Sequence, residues 1–367
     1  MRKYKIAAIG GDGIGPEVLE SGLRALSAVA EYEKFELSVE SFPWGSNYYR
    51  AHGKMVPDDA LDILRGFDVI YFGAVGDPEI PDDVTLWGLR LVICQGFDLY
   101  ANVRPAVMFP GLRSPLRPEL SNGIDWVVVR ENSEGEYAGI GGRIHQGFPE
   151  ETAIDTSVFS RGGVERLQRF AFELARTRPE KHLTCVTKSN AQRFGMVLWD
   201  EVFAELTFQY PDIKTDKVLV DAATARMVLD PSSFDVLVAS NLHGDILSDL
   251  AAALVGSLGI AASGNIDPSG KHPSMFEPVH GSAPDITGKG IANPIAAIWS
   301  AAMMCEHLGE DTASSRLMAA IVEVARAGKV LPPDLGGDAD TDAVTDAIIA
   351  ALRRDDVELK SSAQTSR

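Results

Sequence analysis

Short apolar runs rich in β-branched residues alternate along the chain with longer stretches whose apolar positions recur every three or four residues. The short runs Lys5–Ile9, Phe35–Val39, Val69–Phe72, Trp126–Val129, Leu183–Thr187, Lys217–Val220 and Val236–Ala239 predict strands. The stretches Glu17–Val29, Val164–Ala175 and Arg193–Leu206 predict amphipathic helices. Such alternation predicts an α/β architecture with a largely parallel sheet.

Three regions break the alternation. Residues 102–123 are rich in Pro, Arg and Gly, which places Arg104-Pro105 in a loop. Residues 131–150 carry Gly135, Gly139, Gly141, Gly142 and Gly147 in a polar context, the composition of a loop or hairpin arm. Residues 263–294 combine Gly and Pro with almost no periodicity. Long irregular segments in a compact enzyme are more often functional than idle. The polar tail from Arg354 reads as frayed.

The chain has 367 residues, room for two lobes of about 100–200 residues each. Its net charge of −18 argues against nucleic acid or an acidic membrane as partner, because phosphate binding relies on Lys and Arg. A small anionic substrate then requires its basic residues to be gathered in one place. No run approaches the ~18 apolar residues of a membrane span, and the apolar run Ile6–Ile9 is too short for a signal-peptide core. Cys94, Cys185 and Cys305 form no C-x-x-C pair. These features predict a soluble protein of the reducing cytoplasm.

Five groups of residues carry candidate chemistry. Gly10-Gly11-Asp12-Gly13-Ile14-Gly15-Pro16-Glu17 follows a strand, but Pro16 stands where the third glycine of a dinucleotide fingerprint belongs. The fingerprint therefore fails, and a tight strand-to-helix turn explains the segment equally well. In Asn241–Asp249, Asp245 and Asp249 are one helical turn apart. Their carboxylates suit Mg²⁺ or Mn²⁺ rather than zinc, or else form an acidic first turn that complements the helix dipole. Asp221 closes another strand in a similar position, which favours a metal site at the carboxyl edge of the sheet. Arg90, Arg104 and Arg130 are singly ordinary ion-pair residues and together a carboxylate-binding set. Lys188, with Asn190 nearby, and Tyr137 are weak base and acid candidates on their own. Finally, Glu277–Asp285 followed by Gly288-x-Gly290-x-x-Asn293-Pro294 suits close backbone approach to a flat ligand, or an inert Ω-loop.

Taken together, these segments resemble the β-decarboxylating 2-hydroxyacid dehydrogenases, from Gly10–Glu17 through Asn293-Pro294, with Asn241–Asp249 and Glu277–Asn293 the most specific. The resemblance implies an isopropylmalate-dehydrogenase-like two-domain fold rather than a Rossmann fold, with the active-site cleft between the domains. One domain, residues 1–105 plus 255–367, would bind NAD, and a central domain, 106–254, would carry substrate, metal and dimerisation surfaces. Homodimers would share active sites. By the same resemblance, Arg90, Arg104 and Arg130 clamp the substrate and Tyr137 protonates the enolate. Lys188 and Asp221 come from the neighbouring subunit, Lys188 as base, and Asp221, Asp245 and Asp249 hold Mn²⁺ or Mg²⁺, with K⁺ as a further candidate ion. Glu277, His280, Gly281, Ser282, Ala283, Asp285 and Asn293 fall in what resembles the NAD loop. Asp285 would accept the ribose hydroxyls and repel a 2′-phosphate, favouring NAD over NADP.

The segment Asp83–Arg90 is similar to the tartrate/D-malate subgroup, with Trp87 expected to fill the space of a bulkier C3 substituent. Asp221–Arg226 points to the same subgroup, and Asn190 is expected at the substrate. His243 departs from the family, where an aromatic hydrocarbon is usual. The implied reaction is NAD-dependent oxidation of a small 2-hydroxy dicarboxylic acid: D-malate to pyruvate and CO₂, or tartrate to oxaloglycolate. The alternatives are a 3-isopropylmalate dehydrogenase of the same family and a metal-dependent lyase or hydrolase, which would have no use for the Glu277–Asn293 loop.

Overall fold

The computed structural model describes residues 2–352; the expected frayed tail lies outside them. The strands, in chain order, are β1 (Lys3–Gly11), β2 (Glu36–Phe42), β3 (Val69–Ala74), β4 (Ala101–Val107), β5 (Asp125–Glu131), β6 (Gly135–Ile144), β7 (Thr152–Val158), β8 (His182–Thr187), β9 (Lys214–Leu219), β10 (Val236–Ala239), β11 (Ala262–Ile266) and β12 (Ser274–Pro278). Ten of them make one sheet in the order β2-β1-β3-β12-β11-β4-β5-β10-β8-β9, and β6 and β7 pair as a separate antiparallel arm. Both flanks of the sheet are parallel. Its centre is antiparallel, where β11 pairs β12 and β4, and β4 pairs β5. Strands from the chain ends fill one half and strands from residues 125–239 the other, meeting at β4–β5.

All seven predicted strands and three predicted helices are present, the helices as Gly15–Glu33, Arg161–Thr177 and Gly195–Thr207. The differences have physical causes. Arg104-Pro105 lies in β4, not in a loop. Pro105 is tolerated because β11 pairs β4 only over residues 101–103, leaving Pro105 with a single neighbour, Val127 of β5. Residues 263–294, read as irregular, contain most of β11 and all of β12. Every residue of β12 is buried, so it shows no alternation to detect. Asp221 does not close a strand: β9 ends at Leu219 and Asp221 lies in the first turn of the helix Val220–Leu229. The glycine-rich segment is the arm, which extends to Val158.

The core is a helix-covered sheet in which Trp126, Trp199, Tyr71 and Phe72 are fully or almost fully buried. Trp126 Nε1 donates to Pro231 O at 2.8 Å, so the indole is buried without an unmet donor. No helix among the described residues is long and apolar enough to cross a membrane.

Candidate active site

The first loop is the tight turn its composition allowed. Gly11 has φ +69°, and a Cβ there would come within 1.9 Å of Ala74 O. Asp12 is buried and ties three loops, accepting from Ser46 N (2.7 Å), Ser46 Oγ (2.8 Å) and Gly76 N (3.0 Å). Ile14 N donates to Ser282 O at 2.8 Å, and Ala292 N to Glu17 Oε1 at 3.2 Å. The turn thus anchors both ends of the segment running from Ser282 to Asn293.

Beside it opens a cleft of about 610 Å³. Its lining includes Arg90, Arg104, Arg130, Tyr137 and Asp245 on one side and Glu277 to Gly281 on the other. The arginines come from the start of the helix Arg90–Gly96, from β4 and from β5, and all three are buried. Arg104 Nη1 donates to Asp245 Oδ1 (3.0 Å) and Ser248 Oγ (2.7 Å). Arg130 bonds Asp245 through Nη1 and donates Nε and Nη2 to Asn241 Oδ1 at 3.0 and 2.7 Å. Its guanidinium also lies 5.3 Å from the centre of the Tyr137 ring.

Three guanidinium groups in one buried space disturb one another. Burial and the neighbouring Arg104 press the Arg130 pKa down against the pull of Asp245. Burial opposes ionisation of Asp245 as well, but Arg130 and Arg104 outweigh it and hold the carboxyl below its usual range. Arg90 feels the same burial and is raised by Glu277, which it meets at 2.8 Å. Such a cluster attracts a small molecule carrying more than one carboxylate.

Asp245 and Asp249 lie on the helix Asn241–Leu254, whose N-terminus is capped by Glu136: its carboxylate accepts from Ser240 Oγ (2.9 Å) and Leu242 N (3.1 Å). Burial and the Asp245 charge push the Asp249 pKa up, with Arg104 opposing. Two oxygen-only ligands one turn apart fit a hard divalent cation, which would relieve that repulsion. They are not a complete set. Among the described residues no group of three or more His, Cys, Asp or Glu is arranged to hold a metal ion. Asp221 is paired with Lys188 instead, at 2.7 Å, and neither residue lines this cleft.

Tyr137 Oη donates to Asp245 Oδ2 at 3.2 Å, and burial followed by the Asp245 charge raises its pKa. Asn190 is exposed in the turn after Lys188. Trp87 does not line the cleft; Leu86 does. The Trp87 ring lies over Gly139 of the arm, where a Cβ would come within 2.7 Å of it. On the opposite wall His280 Nδ1 lies 3.0 Å from Gly281 O and its Nε2 is buried without a partner, a polar atom free for a ligand. Burial lowers the His280 pKa. Ala283 takes a left-handed φ of +42°, Ser282 is buried and Asp285 is exposed. Asn293 Oδ1 accepts from Ile295 N (3.0 Å) and its Nδ2 donates to Asp334 (2.9 Å), a helix-start role. His243 is buried near Glu136 and Lys188, with burial lowering its pKa.

Sequence reasoning gave no role to Asn241, Asn102, Asn265 or Ser248, which hold the arginines. Their signal was present in part: Asn102 and Asn265 are fully buried amides, and Asn102 stands two residues before Arg104 on the same strand.

Fold and cleft together define a mixed α/β protein with one large sheet and a cleft of buried arginines beside a small-residue loop. The chain belongs to the isocitrate/isopropylmalate dehydrogenase family, whose profile matches residues 5–349. It is 59% identical over 353 residues to a probable tartrate dehydrogenase/decarboxylase of Agrobacterium vitis, covering 96% of this chain and 98% of that one. It is 51% identical over 361 residues to D-malate dehydrogenase [decarboxylating] of Escherichia coli (strain K12), covering 96% and 100%. The crystal structure of isocitrate dehydrogenase from Methylococcus capsulatus superposes with a TM-score of 0.86 at 38% identity, covering 96% of this chain and all of that one.

Proposed function

We propose that the cleft oxidises a small 2-hydroxy dicarboxylic acid, D-malate or tartrate, with NAD and Mn²⁺ or Mg²⁺, and that oxidation is followed by loss of CO₂. The observation that carries this is the gathering of three buried arginines in one cleft, Arg104 and Arg130 on Asp245 and Arg90 on Glu277, beside the small-residue stretch Glu277–Gly281. The identity to relatives named for tartrate and D-malate supports the substrate class.

In this reading Arg104 and Arg130 release Asp245 and, with Arg90, take the substrate carboxylates in forked pairs, holding the 2-hydroxyl toward the loop. Tyr137, kept protonated by burial and by Asp245, is placed to return a proton to the carbon that loses CO₂. A bound metal would supply Lewis acidity at the hydroxyl, and NAD would supply the hydride acceptor. Asp245 and Asp249 would hold that metal and Glu277 to Asn293 the dinucleotide. Asp285, exposed at the loop surface, favours the unphosphorylated ribose.

Lys188 and Asp221 act in the cleft of a second copy. Leu242, Ile246 and Asp249 share one helix face, and the first two are exposed hydrophobics. The arm adds Ile140, Ile144, Phe148 and Ile154, each more than half exposed. A homodimer that covers this surface would bring Asp221 of one copy to the carboxylates of the other. Trp87, seated on the arm beside Tyr137's segment, would then act on substrate size together with Leu86.

The test is NADH formation with Mn²⁺ on D-malate, the three tartrates, 3-isopropylmalate and isocitrate, each repeated with EDTA. EDTA-sensitive activity on D-malate or tartrate is expected. Preference for isopropylmalate would refute the small-substituent reading, and NADH from none of them would refute the assignment.

A further inference from the structure

Both walls of the cleft rest on one buried amide. Asn265 of β11 is fully buried, and every polar atom of its side chain is used. Its Oδ1 accepts from Asn102 Nδ2 (2.8 Å), Asn132 Nδ2 (2.9 Å) and Arg90 Nη2 (3.1 Å). Its Nδ2 donates to Glu277 Oε1 (2.7 Å) and Met275 O (3.2 Å). Asn102 extends the chain, its Oδ1 accepting from Arg104 Nε at 2.6 Å. Arg90 closes a ring by donating Nε to the same Glu277 oxygen at 2.9 Å. One planar group therefore joins two of the arginines to the carboxylate that opens the loop wall.

The chemistry of that group is specific. Its oxygen faces donors only and its nitrogen faces acceptors only, so a carboxylate there would set its charge against Glu277, and an aliphatic residue would cut the Arg104 route and leave only the direct Arg90–Glu277 pair. Because the amide is rigid and bonded at both ends, a pull on Arg90 or Arg104 is transmitted to Glu277.

We propose that Asn265 is a positioning residue that couples binding of the hydroxy acid at Arg90 and Arg104 to binding of the nicotinamide dinucleotide at Glu277. This rests on the functional reading above. Two ligands that bias one shared element change each other's affinity by the same factor, commonly about 5- to 150-fold.

The experiment is NADH binding by fluorescence titration without and with saturating D-malate and Mn²⁺; the reduced cofactor prevents turnover. In the wild type, D-malate should change the NADH dissociation constant by about 5-fold or more. Asn265→Ala should still bind both ligands, with that ratio reduced at least about 3-fold and the remainder carried by the direct Arg90–Glu277 pair. Asn102→Ala, which cuts only the Arg104 branch, should leave an intermediate ratio and serves as the test should Asn265→Ala not fold. A wild-type ratio retained in both variants, or no effect of D-malate on a wild type that binds NADH, would overturn the coupling. A wild type that binds no NADH would overturn the functional reading, and the coupling with it.

Discussion

Gly244 is not expected to touch substrate, cofactor or metal, yet Gly244→Ala should impair the enzyme. Gly244 lies inside the helix Asn241–Leu254, where alanine is worth about 1 kcal/mol more than glycine. Its φ is not left-handed, so the backbone raises no objection. The obstacle is Arg130: a Cβ at 244 would stand 2.7 Å from Arg130 Cβ, 2.8 Å from Cγ and 3.2 Å from Cα. Carbon atoms pack at about 3.5–4.0 Å, so one element must retreat by roughly 0.8 Å. Arg130 cannot do so cheaply, because its strand is held on both sides, opposite Asn102 of β4 and Ala239 of β10. The helix must then move, and it carries Asn241, Asp245 and Asp249. Overpacking costs about 1–3 kcal/mol, which the helix propensity partly offsets, so the net loss of stability should stay below about 2 kcal/mol. Activity should suffer more. Misplacement by about 1 Å costs on the order of 100-fold, so kcat/KM for D-malate should fall about 10- to 100-fold while the protein stays folded. Steady-state NADH formation and a thermal melt on the same sample separate the two effects. A kcat/KM within threefold of wild type would refute the argument that close helix–strand contact places these ligands.

Asp249→Asn should lower turnover and shift the Mn²⁺ requirement upward; an unchanged metal titration would remove Asp249 from the ligand set. Asp285→Lys should move the NADP/NAD preference toward NADP by about 10-fold, equivalent to about 1.4 kcal/mol, and unchanged selectivity would show that this position does not face the ribose. Asp216 offers a pH test remote from the cleft. Burial works against its charge, but bonds from His182 (2.9 Å), Arg226 (2.6 Å) and Thr184 outweigh it and depress the folded-state pKa. Its stabilisation is therefore present above the unfolded value of about 3.9 and is lost as pH falls through the lower folded one. The melting-temperature gap between wild type and Asp216→Asn should stay open down to about pH 5 and close below about pH 4. A gap that widens on acidification would contradict the sign.

What the sequence disclosed depended on the kind of signal each feature leaves. The parallel flanks were legible because their strands are short β-branched runs between periodic helices. The antiparallel centre was not, for three separate reasons: β12 is buried throughout, β11 is a five-residue strand containing Ser, Gly and Asn, and β4 carries an arginine and a proline. Each violates alternation because of what it does. β4 presents Arg104 to the cleft and β12 presents Glu277, so the least strand-like sequences are those that build the site.

The same contrast separates the charged groups from the amides. Asp245, Asp249 and the arginines could be singled out because charge in an apolar context demands a partner, and for Arg104, Arg130 and Asp245 the structure supplies one. Asn102, Asn241 and Asn265 carry no charge, and nothing in their spacing announces that they meet. Yet Asn241 alone accepts two bonds from Arg130, and Asn265 receives Arg90. Buried guanidinium groups are held by neutral acceptors here because more carboxylates would neutralise the cluster and remove its attraction for a dianion. Among the described residues the three arginines meet only Asp245 and Glu277 as ion-pair partners, so three guanidinium charges share two bonded carboxylates before any ligand enters. An asparagine orients an arginine without spending that charge. Replacing Asn241 by Asp should therefore weaken hydroxy-acid binding even though it strengthens the hold on Arg130: KM for D-malate should rise at least about 10-fold, while the melting temperature changes little, because the Nδ2 donation to Glu134 O is lost. A lower melting temperature with unchanged KM would mean that the amide serves packing alone.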